Sequence, residues 1–148
     1  MDLRSQIESD ITEALRSKDE ARVSVLRLLK SAIHNGEIAS GKEFSDAEIE
    51  QAIGKEIKQR RDSIESYTTG GREDLAAKEK SELDILSKYM PEQMPREELA
   101  KIVDAAVSEM GASPAQMGQI IGKVRSQVGN RAEGSLIAEL VKERLGSG

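Results

Sequence analysis

Apolar residues recur along the chain at every third or fourth position, which is the spacing of one face of an α-helix. Seven such stretches are separated by capping residues, glycines and prolines, and none alternates with the period of two that marks a half-buried strand. The boundaries predict helices over residues 2–17, 20 to 36 or one turn further, 45–69, 72–88, 96–110, 114–128 and 133–145. We therefore predict an all-α protein.

The second of these stretches has the broadest apolar stripe. Val25, Leu28 and Ala32 widen it beyond its central row. A helix that is apolar around so much of its surface packs against neighbours on several sides. We therefore predict that this helix is buried on much of its circumference.

Two prolines divide the helices into groups. Pro91 and Pro95 stand four residues apart, and proline at this spacing does not continue a helix. The sequence therefore predicts an N-terminal four-helix domain over residues 1–90, a linker over 91–95 and a C-terminal three-helix domain over 96–148.

Composition excludes several kinds of site. The chain has no cysteine, no tryptophan and a single histidine, His34. Disulfides, thiolate metal sites, cysteine nucleophiles and multi-histidine metal centres are therefore excluded. No phosphate-binding loop motif is present, and no spacing of acidic residues singles out an acid–base pair. We expect no catalytic residue, no metal site and no cofactor.

Charge and hydropathy bear on location and partners. The net charge is −5, so bulk attraction to nucleic acid is not expected, although residues 96–148 hold seven charges of each sign and the excess acid lies in residues 1–95. The acidic start lacks the apolar run of a signal peptide, and no stretch approaches the ~20 apolar residues of a membrane span. We expect a cytoplasmic protein without membrane association.

The third predicted helix carries a basic stripe. Lys55, Lys58 and Arg61 lie close together on it, interspersed with acids, and Lys58 is placed to pair with Asp62 one turn later. A solvated charged face explains this pattern, and a phosphate-contacting stripe is the alternative.

Two other features allow a functional and a structural interpretation. Gly70, Gly71 and Arg72 join two helices, either as an anion site at a helix start or as a tight hairpin turn. His34 lies near the expected end of the second helix, either as a general base or phosphate contact or in a helix-end role.

Residues 117–135 are the most unusual stretch. Gly118 and Gly122 stand one helical turn apart, although a glycine inside a helix costs about 1 kcal/mol against alanine. Close approach of another helix of the chain, or of an external backbone, would offset that cost. Lys123, Arg125 and Arg131 accompany them, with no acid between Glu109 and Glu133. Both explanations of the glycines remain open at this point.

Several motifs together suggest a family. They are Leu26–Ile33 with Glu37-Ile38, Lys55–Ile64, Gly71–Ala76, Tyr89-Met90-Pro91, Met117-Gly118, Gly122-Lys123-Val124 and Arg131–Gly134. With these residues the chain resembles the YqeY-like family over essentially its whole length. The resemblance implies an all-α protein of two helical parts.

The resemblance also implies a role. The C-terminal part is similar to the tail domain of the B subunit of the glutamine-dependent aspartyl/glutamyl-tRNA amidotransferase (GatB), which contacts tRNA without doing chemistry. The associated activity is carbon–nitrogen ligation with glutamine as amide donor. Together with the basic run, the resemblance gives six candidate nucleic-acid contacts, namely Gly118, Gly122, Lys123, Arg125, Arg131 and Ala132.

These observations favour a non-catalytic binding module associated with tRNA or with tRNA-dependent amidation. The first alternative is an amidotransferase-like protein that is active only in a complex, with amidotransferase or synthetase subunits as partners. The second is a protein–protein adaptor that works through its acidic N-terminal part. The sequence does not indicate an oligomeric state.

Overall fold

The computed structural model describes residues 2–146, and these residues are helical without a strand. The all-α prediction is confirmed. The seven helices are α1 (Leu3–Arg16), α2 (Glu20–Ser40), α3 (Asp46–Thr69), α4 (Glu73–Ser87), α5 (Arg96–Met110), α6 (Met117–Val128) and α7 (Gly134–Arg144). Short 3₁₀ turns at Pro114–Gln116 and Gly129–Arg131 precede and follow α6.

The chain divides into two compact units, one up to Met90 and one from Pro91 onward. The N-terminal unit consists of two helical hairpins, α1–α2 and α3–α4, and α2 packs on both helices of the second hairpin. Its core is aliphatic, and the fully buried side chains include Ile7, Leu26, Leu29, Ile53 and Leu86. These residues come from the apolar stripes of all four helices, so the stripes account for the bundle.

The two hairpins are closed by the same turn. After α3, the Arg72 N–H bonds to the Tyr67 carbonyl at 2.8 Å and Gly71 takes a left-handed φ of 75°. This is the Schellman arrangement, in which glycine is preferred because it has no Cβ to clash. The structural interpretation of Gly70-Gly71 is therefore confirmed.

The turn after α1 has lysine where the other has glycine. Asp19 N–H bonds to the Ala14 carbonyl at 2.9 Å, and Lys18 takes a φ of 59°. Lys18 is the one non-glycine residue with positive φ in residues 2–146. A side chain in this conformation costs about 1 kcal/mol or more, because its Cβ approaches the following carbonyl.

Replacing Lys18 with glycine is expected to stabilise the N-terminal unit by roughly 0.5–1 kcal/mol, since relief of the left-handed strain exceeds the entropy that glycine adds to the unfolded chain. Chemical denaturation followed by tyrosine fluorescence measures this unit alone, because both tyrosines lie in it and the chain has no tryptophan. Gly71→Lys is the reciprocal variant and should lose stability. A loss of stability in Lys18→Gly would contradict the expected strain.

Helix α2 has the longer of its two predicted ends. It continues to Ser40 and ends at Gly41. The Phe44 ring lies over Gly36, where an added Cβ would stand 2.6 Å from the ring. Gly36 therefore serves a side-chain contact and does not end the helix. The wide apolar stripe predicted for this helix is buried at Val25 but not at Leu28, which is 55% exposed.

A buried arginine links the two helices of the second hairpin. Arg60 on α3 is 8% exposed and forms ion pairs of 3.5 Å with Glu56 on its own helix and with Glu82 on α4. Its Nη1 also donates to the Glu56 carbonyl at 3.3 Å. The guanidinium therefore bridges α3 and α4 in a partly dry setting, where removing one partner is costly.

A tyrosine two residues after the end of α4 forms a hydrogen bond with α1. The Tyr89 hydroxyl donates to the Asp10 carboxylate. Burial raises the pKa of Tyr89 above its usual value, and the hydrogen bond to Asp10 raises it further. The folded protein therefore keeps this proton at a pH where the unfolded chain loses it.

This raised pKa predicts a specific alkaline instability. Below pH ~10, the usual tyrosine pKa, the stabilisation from Tyr89 is fully present, and it declines as pH rises above that value because the unfolded state ionises first. The stability difference between the parent and Tyr89→Phe should shrink by roughly 0.5 kcal/mol between pH 9 and 11, after allowance for partial solvent screening. Denaturation followed by far-UV circular dichroism measures it, and a constant difference would contradict the assignment.

The C-terminal unit is a three-helix bundle in which α5, α6 and α7 all contact one another. Its core includes Leu99, Val103, Ile120, Val124 and Ile137. The segment before α5 is bound to this unit. The Met94 N–H donates to the Arg131 carbonyl at 2.7 Å, and the Gln93 side chain donates to the Asn130 carbonyl at 3.0 Å.

No helix within residues 2–146 has the length and apolar content needed to cross a membrane.

Candidate nucleic-acid interface

Helix α6 begins later than its sequence predicts. Ser113 and Pro114 start a 3₁₀ turn, in which Ser113 Oγ accepts the Ala115 N–H at 3.3 Å, and the α-helix follows from Met117. Gly118 therefore lies in the first turn of α6 and Gly122 in the second. Ile120, Val124 and Val128 fix the orientation of the helix, since all three are buried in the core.

The two glycines lie on the solvent side of α6. Apart from the backbone of the helix itself, no heavy atom of residues 2–146 comes within 4 Å of a Cβ built at Gly118 or Gly122. Packing of another helix of the same unit therefore does not explain them. Arg125 follows three residues after Gly122, on the same face of the helix, and is also exposed. The three residues form one open stripe, which we call the glycine stripe.

The lower end of the glycine stripe meets the start of α7. Arg125 Nη1 lies 2.5 Å from where a Cβ of Gly134 would stand, so glycine allows the guanidinium to rest against the backbone. Helix α7 has no side-chain cap at this end. Within residues 2–146 the Arg125 side chain has no hydrogen-bonding or ion-pairing partner. An unpaired cation thus stands beside helix N–H groups that favour an anion.

Gly134 was not among the predicted contacts. Its only signal in the sequence was its place at the end of the motif Arg131–Gly134. The contact with Arg125 depends on how α6 and α7 cross, which the local pattern does not encode.

Three other predicted contacts have structural roles. Lys123 pairs with Glu109 of α5, so the acid that is absent nearby in sequence is supplied by the fold. Arg131 donates from Nε to the Val128 carbonyl and from Nη2 to the Gln127 carbonyl, both at 3.2 Å, and so caps the end of α6. Ala132 is 8% exposed and belongs to the core, which leaves only its backbone for a ligand.

The basic stripe of α3 is mostly engaged within the protein. The predicted pairing of Lys58 with Asp62 is confirmed at 3.6 Å, between two exposed side chains. Arg61 also has an interaction partner in the chain. Lys55 is exposed and lines a shallow groove beside Phe44. A solvated face accounts for this arrangement.

Arg72 and His34 are the remaining candidates from the sequence. Arg72 interacts with Asp74, with its Nε 3.4 Å from the carboxylate, so the anion expected after Gly71 is supplied by the protein. His34 was expected near the end of α2, but the helix continues to Ser40 and His34 is exposed on its side. In the part of the chain that the structure describes, no three acidic or histidine side chains are grouped to hold a metal ion.

Comparison with known proteins gives relatives in fungi. A protein named altered inheritance of mitochondria protein 41, mitochondrial, from Saccharomyces cerevisiae (strain YJM789) is 34% identical over 128 residues, which cover 81% of this chain and 69% of that protein. Proteins of the same name from Lachancea thermotolerans and Pyrenophora tritici-repentis are 36% identical over 111 residues and 26% identical over 145 residues. The matched regions cover 74% and 96% of this chain, and 58% and 80% of those proteins.

These names correct the expected location. The acidic first residues of the sequence favoured the cytoplasm, whereas the relatives are named as mitochondrial proteins. The cytoplasmic prediction is therefore wrong by this comparison. The composition of a folded domain carries little information about its compartment, so the residues that supported the prediction were weak evidence.

The match extends to a whole family. The YqeY-like protein family matches residues 4–145, so both helical units lie within the matched region. The motifs that suggested the resemblance lie in α2, α3, α4 and α6, in the segments just before and just after α4, and at the start of α7, and all fall inside these limits. The chain therefore belongs to the YqeY-like protein family.

Proposed function

We propose that this protein is a non-catalytic module that binds the backbone of RNA, with tRNA as its ligand, through the C-terminal unit. The observation that carries the proposal is the open glycine stripe of Gly118, Gly122 and Arg125. A glycine on the exposed face of a helix costs stability and is not needed by the fold. Its use is explained where a bulky backbone approaches closely.

The chemistry at the end of the glycine stripe suits phosphate. The Arg125 guanidinium offers several donors in one plane, and the uncapped first turn of α7 presents N–H groups beside it. The two smooth turns above Arg125 leave room for a sugar–phosphate strand. Such contacts read shape and charge and not base sequence, so binding should be salt-dependent.

The three candidate cations differ in whether they already have an interaction partner within the protein. Arg125 has no partner within residues 2–146, whereas Lys123 and Arg131 are held by Glu109 and by backbone carbonyls. A ligand phosphate gains most from a cation that has no competing anion. Arg125 is therefore the residue whose loss should weaken RNA binding most.

Arg125→Glu is expected to weaken binding of total tRNA about tenfold at low salt and to reduce the slope of log affinity against log salt by about one. Fluorescence titration with labelled tRNA at several salt concentrations measures both quantities. Lys142→Glu is the matched control, because it makes the same charge change on an exposed position of α7. Equal losses of affinity in the two variants would show that only the net charge matters. No loss in either variant would contradict the proposal.

The amidotransferase alternative is proposed only as a complex. Here the tRNA-binding surface would be one component, with the chemistry in a partner subunit. If glutamine-dependent amidation by a purified amidotransferase rises when this protein is added, and does not rise with Arg125→Glu, the complex is supported. An unchanged rate would leave RNA binding as the proposed function.

A further inference from the structure

A groove of about 600 Å³ lies between the end of α1 and the first half of α2, in the N-terminal unit. Leu15 and Leu28 line it and are 50% and 55% exposed, although both are large aliphatic side chains. Single exposed leucines are common on protein surfaces, but two that face one concave surface form a patch. Neither contributes to the core, so the fold does not explain them.

The rim of this groove is cationic. Lys18 and Arg27 line it, and neither side chain has a partner among residues 2–146. The acid on the rim is Glu20. Lys18 keeps its left-handed backbone here, where the equivalent turn of the other hairpin has Gly71. A strained backbone that retains a free cation beside an apolar groove indicates a function for that cation.

The groove continues along α2. Arg27 and Ser31 also line a second groove of about 560 Å³, which extends past His34 to Glu37. Helix α2 has no acid between Glu20 and Glu37, and this stretch spans roughly 25 Å at 1.5 Å per residue. In the second groove the other cations are partly neutralised, since Lys30 lies 3.6 Å from Glu8 and Arg4 pairs with Glu37.

We infer that the α1–α2 face, formed by these two grooves, binds an amphipathic helix of a partner protein whose apolar stripe covers Leu15 and Leu28 and whose acidic flank meets Lys18 and Arg27. The length of the face corresponds to between four and five helical turns, at about 5.4 Å per turn. Helices bind such grooves through apolar residues at every third or fourth position. The free cations supply the charge complementarity that selects an acidic segment.

Other occupants fit less well. RNA would gain from the cations but would leave both leucines against a hydrated backbone. A second copy related by twofold symmetry would set this cationic rim against the same cationic rim, and like charges repel. This inference does not depend on the proposed RNA binding, since it concerns different helices of a different unit.

The test uses a pair of designed 18-residue helical peptides. Both carry leucines at the first, fourth, eighth and eleventh positions, and they differ in having glutamates or lysines along one flank. Fluorescence anisotropy with the full chain is expected to show at least tenfold tighter binding of the glutamate peptide. Arg27→Glu should abolish this preference, and Leu28→Glu should weaken binding of the glutamate peptide at least tenfold. NMR shift changes should map to α1 and α2.

Ile38→Glu is the matched control, because Ile38 is 67% exposed on the same helix and outside the groove. Its affinity should stay within twofold of the parent, and denaturation curves of all variants should show a folded N-terminal unit. Equal affinity for the two peptides, or equal losses in Leu28→Glu and Ile38→Glu, would overturn the inference. So would binding of anionic vesicles, tRNA or a second copy that is lost in Leu28→Glu while the glutamate peptide does not bind.

Discussion

Arg60→Ala is expected to lower the free energy of unfolding of the N-terminal unit by about 3 kcal/mol, the lower end of the range for breaking a buried ion pair. The substitution leaves the carboxylates of Glu56 and Glu82 without their shared cation and partly shielded from water, with side chains 19% and 17% exposed. Their mutual repulsion and desolvation are then uncompensated, and the packing of the arginine stem between α3 and α4 is lost.

The same helix provides the control. Lys58 and Asp62 form an ion pair at the same i,i+4 spacing and almost the same distance, 3.6 Å, but both side chains are more than half exposed. Lys58→Ala should therefore cost less than ~0.5 kcal/mol. Tyrosine fluorescence follows both variants in the N-terminal unit alone. If Arg60→Ala and Lys58→Ala cost the same, burial does not govern the strength of this pair.

A double-mutant cycle separates the contributions. Glu82→Ala alone should be less costly than Arg60→Ala, because Glu56 still pairs with the guanidinium. The double variant should be more stable than the sum of the single losses implies, since removing Glu82 relieves the repulsion left by Arg60→Ala. Additive losses would show that Arg60 acts through packing and not through its charge.

These two ion pairs show how far the sequence can predict the structure. Charge spacing on α3 predicted the Lys58–Asp62 pair correctly, because both residues lie on one helix. It did not distinguish Arg60 from its neighbours, since Arg60 is buried by α4, whose position depends on the hairpin turn. Local spacing therefore predicts pairs within a helix, while the burial that gives a pair its energy depends on tertiary packing.

The difference between local spacing and tertiary packing also applies to the helix boundaries and to the candidate site. The start of α3 was predicted within one residue, because the capping box of Ser45 and Glu48 that fixes it lies within four residues. Gly36 was one of two predicted ends of α2, and its contact with Phe44, eight residues further on, was not predicted. The acid-free run around Lys123 was real in sequence, yet Glu109 reaches it from a neighbouring helix. Features formed by residues close together in the sequence were predicted, whereas contacts between distant segments were not.

The two glycines of the glycine stripe lower helix stability, and no tertiary contact within the described residues accounts for them. Helix propensity identified Gly118 and Gly122 as costly, and the structure shows open space where intramolecular packing could have explained them. Changing both to glutamine should therefore stabilise the C-terminal unit by about 1 kcal/mol, since glutamine is a good helix former and nothing within the described residues obstructs it. Far-UV circular dichroism, compared with the tyrosine signal of the other unit, measures this gain.

The same double variant should bind tRNA about tenfold more weakly, a loss of about 1.4 kcal/mol, because its side chains would keep an RNA backbone away from α6. Ala105→Gln is the control, since it adds similar bulk to an exposed position of α5 in the same unit. It should leave affinity within twofold of the parent. Higher stability with unchanged affinity would show that the glycines do not contact RNA, whereas lower stability would show that the open stripe is occupied by the protein itself. Only a gain in stability together with a loss of affinity is expected if these glycines are kept for a ligand, because folding and binding then place opposite demands on the same two positions.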